Sequence, residues 1–471
     1  MYQAWRIIRV LLTVSLLIAL LLLSGAFWFL WESASVGAAY GAKRMASGVF
    51  VAGRQPESIA SQELGSLPFS FFTYEIDEEE KTVTGWLLGR QKTTAVYREG
   101  LGVAIAQDGD VEALKGQARP DLIPDLSHLA REPWPMGDAP SGKPRPEGID
   151  EAALTATVDN MFAERSLFHK RGTRAVIVLY QGEVVAERYG DGFGPEQRLP
   201  AWSMTKSVTH ALYGIASAQG KVDIMAPAPV PQWQGEDDPR SEITLDMLLR
   251  MSSGLAFDED DFTPHADLTT MLFLQPGAGL FAMDKGLEHP VDTVWAYSSG
   301  TTNILSWILR DVYGDEAYYA LPYRELFGRI GMRSAILEAD ATGTYVGSSF
   351  FFATARDYAR FGLLYMRDGV WEGERILPKG WVEYARTATP TAPKDNYGAQ
   401  WWRPTLDQRA GAEARSIPLP DDTFRASGFE GQNIAVIASR ELVIIRLGLG
   451  QFSSSMFYGQ VCDVLETLPE S

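Results

Sequence analysis

Two segments with the pattern of β-hairpins, far apart in the chain, constrain the fold more than any other sequence feature. The first, AVIVLYQGEVVAERYG, turns at Gln181-Gly182, and the second, NIAVIASRELVIIRLG, turns around Ser439-Arg440. Helical patterns and acidic loops lie between them. Strands followed by helices and then by strands favour an α+β fold, in which the helices are segregated from an antiparallel sheet. We therefore predict one such domain over residues 150–471.

An uncharged run from Val10 to Trp31 predicts a single transmembrane helix close to the N-terminus. At about 1.5 Å per residue, residues 10–31 span about 33 Å, enough for the hydrocarbon core of a bilayer. Arg6 and Arg9 precede the run, so residues 1–9 are expected in the cytoplasm. This predicts a single-pass protein of the bacterial inner membrane with its main body on the periplasmic, extracytoplasmic side. A cleaved signal sequence is the alternative, since the small residues of SASVGAAYGA follow the run.

The sequence between the apolar run and residue 150 divides into two regions. Residues 44–118 contain strand-like runs, such as TVTGWLLG and TAVYREGLGVAIA, and predict a small accessory domain. Residues 119–149 are rich in proline, which blocks regular secondary structure, and predict an extended linker along the next domain. The net charge of −18 argues against nucleic acid as a partner, because phosphate binding requires clustered Lys and Arg.

The stretch WSMTKS places Ser203 and Lys206 three residues apart. On a helix, that spacing brings both side chains to one face, one turn apart. Pro200 suits the approach to a helix start and Gly220 suits its end, so Ser203 is expected in the first turn, where free N–H groups favour negative charge. A serine nucleophile needs an adjacent base, and a buried lysine in its neutral form can accept the proton. The pair is a candidate nucleophile and base, although SxxK alone occurs by chance in many long proteins.

Other serine and metal chemistries fit the sequence less well. The chain contains no GxSxG elbow. His210 is the histidine nearest to Ser203, and seven residues along a helix separate the two by about 10.5 Å, too far for a hydrogen bond. The remaining histidines form no HExxH-like pair, and the single cysteine, Cys462, excludes a CxxC site. We therefore predict neither a metal nor an organic cofactor.

Two segments downstream carry groups suited to acyl transfer. In VWAYSSGTTNILSWIL, a Tyr-Ser-Ser-Gly turn precedes an amphipathic helix, and the phenol of Tyr297 can relay a proton to a leaving group. In FRASGFEGQNIAVIA, Gly428 indicates close approach of a ligand or of another backbone. The strand N–H near Phe429 can then act with that of Ser203 as two donors for an oxyanion. A buried structural tyrosine and a simple turn remain alternative interpretations of these segments.

SxxK, a tyrosine loop and a glycine-containing strand, in this order, resemble the serine β-lactamase and penicillin-binding superfamily. The tyrosine and the segment ITLDMLLRMSSGL are similar to the class C-like branch. WSMTKS and YSSGTTN are similar to its 6-aminohexanoate-dimer hydrolase-like and esterase-like members. The resemblance covers about residues 150–465. It implies a β-lactamase-like antiparallel sheet flanked by helices, plus an all-helical lobe.

The resemblance also implies a role for each matching residue. Ser203 would be the acylated nucleophile, Lys206 its base partner and Tyr297 part of the proton relay. The backbone N–H groups of Ser203 and Phe429 would form the oxyanion hole. These roles together describe an acyl-enzyme mechanism that requires no cofactor.

The residues implied for substrate binding depart from the family pattern. They are Ser299, Ser427 and Gly428, and Ser299 stands where asparagine is common. Ala426 stands where β-lactamases carry a lysine that helps to bind a substrate carboxylate. Arg425 does not replace it, because adjacent residues of a strand point to opposite faces. The sequence therefore favours a neutral or cationic amide or ester over a penicillin.

The predicted function is hydrolysis of a small amide, ester or peptide by a membrane-anchored serine hydrolase. A non-catalytic, penicillin-binding-like sensor is one alternative, because the third motif is incomplete. A D-amino-acid peptidase of cell-wall stems is another, because the domain is expected outside the cytoplasm. The acidic run Asp258–Asp261 is expected to be a solvated loop.

Overall fold

The computed structural model describes residues 2–107, 109–163, 172–235, 237–260, 263–413, 417–450 and 452–469. Its α-helices are α1 (Tyr2–Glu32), α2 (Ala34–Ala46), α3 (Pro56–Gln62), α4 (Val111–Lys115), α5 (Glu151–Phe162), α6 (Thr205–Ala218), α7 (Leu245–Arg250), α8 (Asp267–Phe273), α9 (Ala278–Met283), α10 (Ser299–Tyr313), α11 (Asp315–Leu321), α12 (Ala355–Met366), α13 (Trp381–Arg386), α14 (Leu406–Glu413) and α15 (Ser454–Leu465). Its strands are β1 (Phe72–Asp77), β2 (Thr82–Leu87), β3 (Arg90–Arg98), β4 (Gly102–Ala106), β5 (Thr173–Tyr180), β6 (Glu183–Tyr189), β7 (Leu199–Pro200), β8 (Ile336–Leu337), β9 (Phe351–Ala353), β10 (Val370–Trp371), β11 (Glu374–Arg375), β12 (Phe424–Gly428), β13 (Gln432–Ile437) and β14 (Leu442–Gly448).

The centre of the C-terminal region is an antiparallel sheet with the strand order β12–β13–β14–β5–β6. The strand β5 is buried along its whole length, and its alternate side chains enter two different cores. Ala175, Ile177 and Leu179 pack in the core that includes α6, α10 and α12. Val176 and Val178 pack on the opposite face, against α5 and α15. The predicted α+β fold, with helices covering an antiparallel sheet, is confirmed.

Both predicted hairpin turns are present. Gln181 and Gly182 join β5 to β6 with φ angles of 52° and 80°, the two positive values that a type I′ turn requires. A 3-10 turn at Ala438–Arg440, followed by Glu441, joins β13 to β14. Because β14 pairs with β5, the two hairpins form one sheet from the beginning and the end of the region.

The N-terminal helix α1 is followed by α2 after a single residue, Ser33. Within α1, the stretch Trp5–Phe29 is long and apolar enough to cross a membrane, and it makes no buried contact with the rest of the described chain. A signal sequence passes the same test of length and composition. The helix predicted from the apolar run is therefore confirmed, while the uncleaved anchor and its orientation stay predictions.

Residues 34–106, which we call the N-terminal layer, place α2 against an antiparallel sheet of order β1–β2–β3–β4. The strand-like runs predicted in residues 44–118 correspond to β2, β3 and β4. Small residues allow the helix to approach the sheet: a Cβ on Gly85 would lie 2.7 Å from the carbonyl oxygen of Ala38. The layer begins with α2, before residue 44, and the accessory-domain boundary stays a prediction.

The proline-rich segment that follows is held against the C-terminal region by hydrogen bonds. The buried Trp134 donates from Nε1 to the carbonyl oxygen of Gly182 (2.7 Å). Arg360 donates from its guanidinium to the carbonyl oxygens of Pro135 (2.7 Å) and Gly137 (2.5 Å). A 3-10 helix at Ser127–Arg131 interrupts this segment, so the expectation of no regular secondary structure is wrong there, and the linker boundaries stay a prediction.

The N-terminal layer meets the C-terminal region at a buried carboxylate. Glu338 is fully buried and pairs with the amine of Lys43 on α2. It also accepts hydrogen bonds from Ser47 Oγ (3.0 Å) and from the backbone N–H of Val103 (2.8 Å). Burial lowers the pKa of Lys43 below its ordinary value, and the Glu338 carboxylate opposes that shift. Each charge therefore offsets part of the cost of burying the other.

Removing one partner of this buried pair should destabilise the protein more than removing both. Glu338→Ala leaves the Lys43 amine buried without its carboxylate, and we expect a loss of about 3–5 kcal/mol in the free energy of unfolding. The double variant Lys43→Met, Glu338→Leu removes both charges and should lose less. Urea unfolding in detergent solution, followed by circular dichroism, measures the two losses. A double variant that is less stable than Glu338→Ala would contradict the expectation.

Candidate active site

Ser203 lies in a 3-10 turn, Trp202–Met204, which connects β7 to α6. The helix predicted after Pro200 is present, and Gly220, with a φ of 66°, follows its end. The α-helix itself begins at Thr205, so Ser203 precedes its first turn rather than lying in it. The side chain of Ser203 is partly exposed, as a nucleophile that meets a substrate must be.

The amine of Lys206 is 1% exposed and contacts three oxygen atoms. Its Nζ lies 3.1 Å from Ser203 Oγ and 2.9 Å from Ser299 Oγ. The third oxygen is the backbone carbonyl of Ser348, at 3.3 Å. The face of the Tyr297 ring lies next to the amine, with 4.8 Å between Nζ and the ring centroid. Four residues selected from the sequence therefore meet at one buried amine.

Ser299, the first residue of α10, is held between this amine and a carboxylate. Its Oγ donates to Glu259 Oε1 (2.5 Å), and its backbone N–H donates to Oε2 of the same residue (2.6 Å). The hydroxyl of Ser299 therefore donates to Glu259, while its oxygen accepts from Lys206. The prediction of a solvated loop over Asp258–Asp261 is wrong for Glu259; Asp261 lies outside the described residues.

Tyr297 belongs to a group of aromatic side chains beside the amine. Its ring centroid lies 5.2 Å from that of Trp402, 6.0 Å from that of Tyr397 and 6.4 Å from that of Trp295. Trp402 exchanges two backbone hydrogen bonds with Arg425 of β12, at 2.9 and 2.8 Å. The aromatic group therefore extends from the tyrosine loop to the third motif and forms one wall beside Lys206.

The end of β12 approaches the Ser203 turn closely. A Cβ on Gly428 would lie 2.1 Å from the carbonyl oxygen of Ala201, so only glycine fits at this position. The ring of Phe429 packs edge-on against the Trp202 ring, with 5.5 Å between centroids. The backbone at Phe429 is thereby held beside the turn that carries Ser203.

Ala426 and Arg425 point to opposite faces of β12, as the strand alternation predicts. Ala426 is 1% exposed and packs in the core that includes α6. The guanidinium of Arg425 donates to Tyr458 Oη on α15 (3.1 Å) and to Ser427 Oγ (2.8 Å). Arg425 therefore supplies no cation on the Ala426 face, and the Ser427 hydroxyl is engaged with Arg425.

His210 is a buried structural residue. Its Nδ1 lies 2.8 Å from Tyr365 Oη, and its ring packs on that of Trp381 at 4.9 Å. Burial and, to a smaller extent, the charge of Arg250 lower the pKa of His210 to about 3. Within the described ranges, no group of three or more His, Cys, Asp or Glu side chains is arranged to hold a metal ion.

Two contributors to the site were not predicted from the sequence. Glu259 is one acidic residue in a run of four, and its neighbours offer the same side-chain chemistry. Ser348 contributes its backbone carbonyl, which carries no residue-specific signal. A useful signal for Glu259 is its position just after SGL, the end of the segment that resembles the class C-like branch.

The fold is that of the serine β-lactamase and penicillin-binding superfamily. The family model for β-lactamases matches residues 158–453, and the chain belongs to this family. The matched range contains all three motifs and excludes the N-terminal layer. The resemblance stated from the motifs is therefore confirmed.

Individual relatives are distant. The 6-aminohexanoate-dimer hydrolase of Paenarthrobacter ureafaciens is 28% identical over an alignment of 305 residues, and the match covers 58% of this chain and 72% of that protein. A structure of a candidate 6-aminohexanoate-dimer hydrolase from Bacillus anthracis aligns with a TM-score of 0.53 and 23% identity, covering 64% of this chain and 81% of the other. A class C β-lactamase in complex with cefoxitin aligns with a TM-score of 0.51 and 16% identity, covering 68% and 100%. At these identities the solved structures show the fold alone.

The buried His210 should make stability depend on pH above the range in which carboxylates titrate. Its folded pKa of about 3 lies below the ordinary value of 6.5, so the unfolded chain binds the proton more tightly. The contribution is complete above pH 6.5 and is lost as the pH falls toward 3. Between pH 7 and pH 5 the loss should be about 2 kcal/mol.

Urea unfolding of wild type and His210→Gln at pH 7 and pH 5 measures this contribution. The variant should lose less stability over the interval, because glutamine does not titrate. Glu63, whose pKa three arginines lower to about 2 against the effect of burial, contributes only below the interval. Equal losses in the two proteins would show that His210 is not the cause.

Proposed function

We propose that this protein is a serine hydrolase that cleaves an amide or ester through an acyl-enzyme on Ser203. The observation that carries the proposal is the 3.1 Å contact between Lys206 Nζ and Ser203 Oγ within a buried set of hydrogen bonds. Serine requires a base within hydrogen-bond reach, and this pair meets that requirement. Membership of the β-lactamase family supports the same reaction class.

The directions of the hydrogen bonds around Lys206 suit it to act as the base. A neutral amine has two N–H groups and one lone pair. The carbonyl of Ser348 can only accept, and Ser299 Oγ accepts because its own proton goes to Glu259. In the neutral form that the role of base requires, Lys206 would then use both N–H groups and leave its lone pair for the hydroxyl of Ser203. Glu259 thereby acts as a positioning residue, through Ser299, for the nucleophile–base pair.

The acylation step follows from these positions. Lys206 takes the Ser203 proton while Ser203 Oγ bonds to the carbonyl carbon of the substrate. The bond to the leaving nitrogen or oxygen then breaks, and the proton that Lys206 took from Ser203 passes through Tyr297, whose ring lies against the Lys206 amine, to the leaving group. Water subsequently attacks the ester on Ser203 and releases the acid.

The backbone N–H groups of Ser203 and Phe429 are the proposed donors to the oxyanion. The close approach of Gly428 to Ala201 and the packing of Phe429 on Trp202 support this assignment, because both hold the end of β12 beside the Ser203 turn. Donors fixed before the reaction stabilise negative charge on the carbonyl oxygen most effectively in a site shielded from water.

The proposed substrate is a neutral or cationic small amide, ester or peptide. Ala426 provides no positive charge for a substrate carboxylate, and Arg425 is engaged on the other face of β12. The aromatic wall of Tyr297, Trp295 and Trp402 offers ring faces, which attract apolar groups and cations. Ser299, Ser427 and Gly428 remain the proposed substrate-binding positions, with Ser299 also a partner of Lys206.

We further propose that α1 anchors the protein in the bacterial inner membrane, with the catalytic region on the periplasmic side. The apolar stretch Trp5–Phe29 supports the anchor, and Arg6 and Arg9 near its beginning support the orientation.

Labelling with a fluorophosphonate tests the nucleophile. Wild-type protein should become covalently labelled, and Ser203→Ala should not. Lys206→Ala should turn over a p-nitrophenyl ester at least about 10²-fold more slowly, as expected for loss of a general base. Intact-mass measurement detects the label, and Ser439→Ala, in the exposed turn between β13 and β14, serves as a matched control for loss of a serine hydroxyl away from Lys206. Equal labelling of wild type and Ser203→Ala would overturn the proposed function.

Substitution at Ala426 tests the proposed substrate charge. Ala426→Lys should raise the rate with an anionic penicillin, relative to a neutral p-nitrophenyl ester, by about tenfold, since one charge-assisted contact is worth roughly 1.4 kcal/mol or more. Ala426→Met matches the added length without the charge and should show no such change. Equal ratios for the Lys and Met variants would contradict the proposed role of the missing cation.

A further inference from the structure

An ion pair connects α2 of the N-terminal layer to both turns that carry the proposed oxyanion donors. Arg44 Nη2 donates to Glu430 Oε2 (2.6 Å), and the same carboxylate oxygen accepts from Trp202 Nε1 (3.0 Å). The guanidinium of Arg44 also lies over the Trp202 ring, 4.9 Å from its centroid. All of these side chains are nearly or fully withdrawn from solvent.

The two residues joined by this contact both adopt left-handed backbone conformations. The φ angle is 49° at Trp202 and 62° at Glu430. Such angles strain residues other than glycine and persist only where surrounding contacts hold them. Trp202 immediately precedes Ser203, and Glu430 immediately follows Phe429. The Glu430 carboxylate therefore fastens together the two turns whose N–H groups must converge on one oxygen atom.

Arg44 is itself fixed by a second carboxylate within the N-terminal layer. Glu63 pairs with Arg44, with Arg54 and with Arg174 of β5, the last at 2.8 Å. The Glu63 side chain is 3% exposed, and the three guanidinium groups keep it ionised near neutral pH. The position of Arg44 is thus set by the packing of the layer on the main sheet.

We propose that Arg44 is a positioning residue for acyl transfer, which acts through Glu430 and Trp202 to hold the N–H groups of Ser203 and Phe429 in register. The inference rests on the proposed function. It assigns to the N-terminal layer, which lies outside residues 158–453, a part in catalysis rather than in folding alone. Loss of Arg44 should loosen the donors without removing any group that touches the substrate.

The test compares Arg44→Gln with Arg54→Gln, using a neutral p-nitrophenyl ester. Arg54 belongs to the same layer and shares Glu63, but its guanidinium pairs with Glu63 rather than with Glu430. For Arg44→Gln we expect kcat to fall about tenfold or more with KM nearly unchanged, the pattern for an interaction made in the transition state. Arg44→Lys, which keeps the charge, should recover part of the loss, and Arg54→Gln should retain the wild-type kcat.

The rate of fluorophosphonate labelling gives a second readout, because the phosphonyl oxygen occupies the same donors. Arg44→Gln should label fully but slowly, whereas Ser203→Ala should not label at all. Equal kcat for Arg44→Gln and wild type, or equal falls for the Arg44 and Arg54 variants, would overturn the inference and leave the proposed function intact. If Arg44→Gln does not fold, as judged by circular dichroism, Glu430→Gln decides the question by the same criteria.

Discussion

The buried amine of Lys206 is the constraint on which the arrangement of the site depends. An amine withdrawn from water must find partners for its N–H groups inside the protein, because an unpaired polar group is costly there. The turn of Ser203, the start of α10 and the segment before β9 each supply one oxygen atom. These three segments are distant in sequence, so satisfying one amine fixes their positions relative to α6.

The backbone imposes a second constraint, because the proposed oxyanion donors are N–H groups of the main chain. In the proposed oxyanion hole, two N–H groups from different segments approach one oxygen atom of the substrate. The two segments can come this close only where no Cβ lies between them. Gly428 meets this condition against the Ala201 carbonyl. The packing of β12 at the edge of the sheet thus holds the backbone at Phe429, one of the proposed oxyanion donors, beside the Ser203 turn, and the uncharged Ala426 lies on the same strand.

The sequence predicts those parts of the structure in which local pattern and tertiary structure agree. The turn at Gln181-Gly182 and the helix after Ser203 follow from the local sequence. The order of the SxxK, tyrosine and glycine motifs carries the family resemblance, which implies that the three segments lie together in the site. Contacts made by single side chains across long separations do not have such a signal. Lys43 and Arg44 lie in an ordinary helical pattern, and their partners Glu338 and Glu430 are 295 and 386 residues away. Nothing in the local sequence distinguishes these two glutamates from the other carboxylates of the chain. The role proposed for the N-terminal layer therefore follows only from the three-dimensional structure.

The energetics of that layer argue against its being a loosely attached addition. An exposed ion pair contributes little, because water solvates both charges when they separate. The charged side chains at this contact are instead buried; they are Lys43, Arg44 and Glu338. Separation of the N-terminal layer from the main body would have to rehydrate these charges and expose the apolar surface around them. A contact that is this costly to break holds the layer on the main body. Glu430 follows β12 and accepts hydrogen bonds from Arg44 of the N-terminal layer and from Trp202. The left-handed backbone at Trp202 and Glu430 is therefore supported by contacts with the N-terminal layer and not by the β-lactamase-like region alone.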